Sequence, residues 1–73
     1  MNDDLWVEIT AQNNYQTGKD PMGWISGGFD NLLKNKGVTP EQFDAYTKKI
    51  ETDLTGMTQL TERVFNRLQE LSK

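Results

Sequence analysis

The sequence predicts a mainly α fold, a small helical hairpin or bundle, and three observations carry that reading. A dense helix-start signature surrounds Thr39, an apolar stripe at helical spacing runs from Phe43 to Leu71, and a helix end is marked at Gly37. In Val38-Thr39-Pro40-Glu41-Gln42-Phe43, Thr39 is placed to cap free backbone N–H groups. Pro40 takes the first helical position, and Gln42 completes a capping box. Val38 and Phe43 sit at the two ends of a hydrophobic staple, and Glu41 suits the positive end of the helix dipole.

From Pro40 onward, Phe43, Thr47, Ile50, Leu54, Met57, Thr61, Val64, Leu68 and Leu71 alternate spacings of four and three. This predicts one long C-terminal helix over about 40–72, roughly 50 Å at ~1.5 Å per residue. Phe43, Ile50, Leu54, Met57, Val64, Leu68 and Leu71 are its core or self-association stripe. Gly56 is the point where a kink would fall, since glycine costs about 1 kcal/mol relative to alanine inside a helix. It lies away from the seam, which favours continuity. Tyr46, Leu60 and Phe65 flank the stripe and widen it, and the flanking charges form no attractive pairs for a parallel two-stranded zipper. So wide a face fits a helix with two neighbours.

The preceding helix ends at Lys36, with Lys34 and Lys36 in its last turn and Gly37 beyond. Its start is open between Pro21 and Gly28: Asp20-Pro21 reads as a cap and first turn, but Gly23, Gly27 and Gly28 weaken a helix there. Residues 37–39 form the inter-helix turn. At the N-terminal side, Leu5, Val7, Ile9 and Ala11 alternate with Trp6, Glu8, Thr10 and Gln12, a strand-like period. A lone strand has no mate in a helical chain, so residues 3–12 are read as helix in preference to strand. The run from Gln12 to Asp20 reads by composition as a polar loop.

Seventy-three residues make one small domain, 1–73. Only 34% of them are apolar, which leaves burial for a partner to complete. The chain has no cysteine and no histidine, which removes thiol nucleophiles, imidazole bases, disulfides and most zinc or haem sites. Ser26 lies between glycines but Trp24 breaks the nucleophile-elbow pattern, and neither a phosphate loop nor a calcium loop is present. The prediction is a non-enzyme with no catalytic residue, no cofactor and no metal. A net charge of −3 argues against nucleic acid as a partner. No apolar run approaches the ~20 residues of a membrane span. The acidic Met1-Asn2-Asp3-Asp4 start lacks the basic region of a secretory leader, which predicts a cytoplasmic protein.

What remains is binding. Trp6, Tyr15, Trp24 and Ile25 are the candidate partner-binding residues, with core packing as the competing role for the two tryptophans. The function expected is a small acidic module that binds a larger protein and regulates or inhibits it. Two helices joined by the Pro40-containing turn also resemble, in general shape, the needle and co-chaperone proteins of bacterial type III secretion. The alternative, which the wide stripe of the long helix suggests, is a structural or co-chaperone-like hairpin that self-assembles as a homodimer or larger oligomer.

Overall fold

Asn2 opens the first helix by accepting a hydrogen bond from the Leu5 N–H at 2.8 Å, with Asp3 and Asp4 favourably placed in the first turn. In the computed structural model, which describes all 73 residues and every side chain except that of Ile25, this helix, α1, covers Asp3–Lys19. It is followed by α2 (Pro21–Ile25), α3 (Gly28–Asn35), α4 (Pro40–Glu51) and α5 (Leu54–Leu71). The chain is 82% helical, and no strand occurs among the described residues.

α1 lies at the centre. One side, with Trp6, Val7 and Ala11, packs on Ile50, Leu60 and Val64, and Phe43, Tyr46, Met57, Leu68 and Leu71 close around that cluster. The other side presents Ile9 to Leu32, Leu33 and Val38, with Leu5, Trp24 and Phe29 at the edge. Phe43 touches both clusters. Burial on two sides explains the strand-like alternation in the sequence: Leu5 and Ile9 serve one neighbour, Val7 and Ala11 the other. Along α1 and α5 the ion pairs Asp4–Arg63 and Glu8–Arg67 advance together, so these two helices run in the same direction.

Four sequence expectations are corrected. The stretch 12–20 is not a loop, because α1 continues to Lys19 and only Asp20 interrupts it. Its polar residues are held by neighbours: Gln12 donates to Glu8 at 2.5 Å, and Asn13 accepts from the Trp24 indole. The helix expected from 21 or 28 to 36 is two helices. Asp20 accepts from the Gly23 N–H at 3.1 Å to start α2. Gly27, at φ 117° and ψ 6°, then turns the chain into α3 through a conformation costly for any residue with a Cβ.

The long helix over 40–72 is also two helices. It breaks at Thr52 and Asp53, where Asp53 is extended at φ −125° and ψ 99°, three residues before the glycine expected to yield. The cause is tertiary. A 50 Å rod would leave half its apolar stripe uncovered, whereas the elbow brings α5 back along α1 within an envelope of 33 × 28 × 17 Å. The last correction follows: restarting at Leu54 rotates the buried face of α5 onto Leu60 and Val64. Leu54, expected in the stripe, is left 79% exposed.

The local signals at the α3–α4 turn are realised in full. The Val38 N–H reaches the Leu33 carbonyl at 2.9 Å and the Gly37 N–H that of Lys34 at 3.0 Å, a Schellman motif. Thr39 and Gln42 exchange the two bonds of the capping box at 3.1 and 3.0 Å.

Candidate interaction surface

The four residues nominated for partner binding do not form one surface. Trp6 is buried at 6% exposure, stacked on Phe43 with centroids 6.4 Å apart, and its indole N–H donates to the Thr47 hydroxyl at 2.9 Å. It is a core residue with its polar atom satisfied, which corrects its nomination as a binding anchor. Trp24 is half-buried, its indole bonded to Asn13 on α1. Tyr15 is half-buried with the Lys19 ammonium 5.7 Å from its ring centre. The Ile25 side chain lies outside the described residues.

The stripe residues divide differently. Ile50 and Val64 are buried, and Phe43, Met57, Leu68 and Leu71 pack against the same cluster, so six of the seven face inward. Only Leu54 faces out.

Leu54 has company that the seam register concealed. On α5, Leu54, Thr58, Thr61 and Phe65 follow spacings of four, three and four along the outer face, and with Met57 and Glu62 they line a shallow groove. Phe65 is 60% exposed. Thr55, Asn66 and Gln69 are exposed beside them. Of the four charged residues of α5, three are engaged elsewhere. Arg63 pairs with Asp4, and Arg67 clasps Glu8 through two bonds at 2.7 and 3.0 Å while also holding Glu70 at 3.0 Å. Glu62 alone belongs to the outer face. The outer face of α4 contrasts with it, carrying Glu41, Asp44, Lys48, Lys49 and Glu51 in the open. A helix restart at Leu54 is the signal that would have exposed this face in the sequence, and no local residue announces it.

The charges that leave α5 clasp α1. The hydrogen-bonded Arg67 guanidinium holds the Glu8 carboxyl below its ordinary range, against an opposing effect of partial burial, and Glu8 in turn pushes Arg67 up. Tyr46 donates its phenol proton to Asp3, and that bond raises the phenol above its usual value. A second concavity lies at the α4–α5 elbow between Tyr46, Lys49, Asp53, Gly56 and Arg63, with cations and carboxylates interspersed. Among the described residues no three carboxylates converge on one point, and no helix is long and apolar enough to cross a membrane. In comparisons with known proteins, no family model, no curated protein and no solved structure matches the chain.

Proposed function

We propose that this protein is a small acidic, non-enzymatic interaction module that binds a larger protein and regulates or inhibits it, docking through the outer face of α5. The observation that carries the reading is the chemistry of that face. An ordinary solvent-facing helix in a chain with 26% charged residues carries charge on every turn, as α4 does, whereas α5 turns Leu54 and Phe65 outward among threonines and amides with one carboxylate. Uncharged surface with an aromatic anchor is the composition of interface centres. The spacing suits a helix laid along the face, or the groove of a larger domain closing over it. The cytoplasm is the proposed place of action, consistent with a fold held together without a disulfide.

The test is binding to a purified partner, recovered with the intact chain and reconstituted from pure components. Leu54→Asp with Phe65→Asp is expected to weaken that complex at least tenfold while leaving the circular dichroism unchanged. Full affinity in the folded double variant would move the interface elsewhere. Turnover of any substrate by the pure chain would remove the non-enzymatic reading.

A further inference from the structure

We infer that this chain exchanges α5 with a second copy: the α4–α5 elbow straightens, and the α5 of each molecule takes the place of the other's on α1. Exchange of this kind reuses an interface already present in the monomer and asks only for a hinge that opens. Here the hinge is a single residue. Thr52 keeps helical backbone angles, φ −79° and ψ −9°, and Asp53 alone is extended. The Asp53 side chain makes no capping bond, so the first turn of α5 starts without a side-chain cap. Returning Asp53 to helical angles bonds the N–H groups of Leu54, Thr55 and Gly56 to the carbonyls of Ile50, Glu51 and Thr52, each one helical hydrogen bond back.

The apolar pattern runs through the elbow as well. At ~100° per residue, Phe43 and Ile50 of α4 and Met57, Leu60, Val64 and Leu71 of α5 share one arc of about 100° on a continuous helix. In the monomer α4 runs antiparallel to α1, with Tyr46 on Asp3 and Phe43 on Trp6, whereas α5 runs parallel to it. A straightened helix therefore lays its α4 half on its own α1. Its α5 half, through the same face, lies on the α1 of a copy related by a two-fold axis at the elbow. The ion pairs Asp4–Arg63 and Glu8–Arg67 then form between molecules, and the stripe that a lone rod would leave bare is covered. Leu54, 79% exposed in the monomer, falls about 20° from Phe43 on the straightened helix, where the two long helices cross. The α1–α5 contacts are the same in both forms, so concentration sets the balance between them. The exchange uses the inner face of α5 and stands independently of the docking proposal.

The test is refolding from urea at millimolar and at micromolar protein, followed by size-exclusion chromatography with light scattering. The concentrated sample is expected to give a species of twice 8.4 kDa that survives dilution on the column, and the dilute sample only 8.4 kDa. Leu54→Pro separates the two forms. Position 54 opens α5, where proline suits a helix start, and Asp53 before it is already extended; inside the straight helix the ring clashes with the Ile50 carbonyl. This variant is expected to keep the wild-type circular dichroism and to give no dimer. Mixing tests the exchange itself. Glu8→Arg and Arg67→Glu each set like charges between α1 and α5, but in an exchanged pair of one with the other the two reversed groups meet, and so do the two native ones. Refolding the two variants together is expected to give at least fivefold more dimer than either alone. A wild type that stays monomeric at millimolar concentration, a dimer in Leu54→Pro at the wild-type level, or no gain on mixing each overturns the inference.

Discussion

The position of the helix break can be tested by two leucines, six residues apart, whose fates it reverses. In an unbroken helix over 40–72 Leu54 belongs to the apolar seam and Leu60 to its flank; with the elbow at Thr52–Asp53, Leu60 is 6% exposed and Leu54 79%. Removing most of a buried leucine costs about 2–5 kcal/mol, the spread reflecting how far the site collapses. Leu60 sits against Trp6, Val7, Ile50 and Val64 in a thin core, so about 2–3 kcal/mol is expected for Leu60→Ala. A domain of this size has roughly 0.05–0.15 kcal/mol of stability per residue, or about 4–11 kcal/mol in all, so the loss is a large share of it. At about 4–8 °C per kcal/mol, the melting temperature drops by about 10–20 °C. Leu54→Asp instead exchanges an exposed side chain at the first position of α5, where a carboxylate meets the positive end of the helix dipole, and should change stability by no more than about 0.5 kcal/mol. Thermal melts followed by circular dichroism at 222 nm, with urea titrations as a second measure, distinguish the two. A stable Leu60→Ala beside a strongly destabilised Leu54→Asp would refute the elbow and restore the continuous helix.

Three further outcomes are expected. Because the folded protein depresses the Glu8 carboxyl below the ordinary 4.5, the Glu8–Arg67 clasp contributes fully above that pH. Its contribution is lost as the pH falls through the lower folded value, so urea midpoints of Glu8→Gln should lie below wild type at neutral pH and converge with it in acid; parallel curves would contradict the assignment. A Cβ at position 28 would intrude on the Trp24 ring. Gly28→Ala should therefore cost about 1–3 kcal/mol and shift the Trp24 indole N–H resonance while leaving that of Trp6 in place; two unmoved signals would show that the ring is not seated there. The Thr10 hydroxyl is buried with no hydrogen-bond partner among the described residues. Thr10→Val should raise stability by about 1 kcal/mol, seen as a melting temperature higher by several degrees, and a fall of that size would mean that the hydroxyl is satisfied.

Elements whose cause is local were legible in the sequence. The cap at Thr39, the proline after it and the glycine ending α3 each act through residues within four positions of themselves, and the structure forms each as written. Elements whose cause is distant were not. No glycine or proline marks Thr52–Asp53, and the Asp53 side chain makes no capping bond to α5; the chain turns there because α1 covers α5 better when α5 folds back. The polar run after Gln12 looked like a loop because composition records what a side chain is and not what it meets, and Asn13 meets an indole. The same reason hid the candidate surface. Leu54 and Phe65, eleven residues apart, share a helix face in either register, but that this face points outward follows only from the restart at Leu54. For Trp6 the sequence left core and binding anchor both open, and what decides for the core, its polar partner Thr47, lies 41 residues away.

The arrangement of α1 between its neighbours has a consequence for synthesis. This helix leaves the ribosome ahead of α5, yet one of its apolar sides is covered by α5, whose pairing residues Arg63 and Arg67 each lie 59 positions downstream of their partners. Until α5 is released, α1 can settle on α3 through Ile9, Leu32, Leu33 and Val38, while Trp6, Val7 and Ala11 lack their α5 partners Leu60 and Val64. The nascent chain thus passes through a stage with one cluster closed and the other open. A chain cut short before Leu54 would stay in that stage, an adhesive half-domain of the kind that chaperones and proteases recognise.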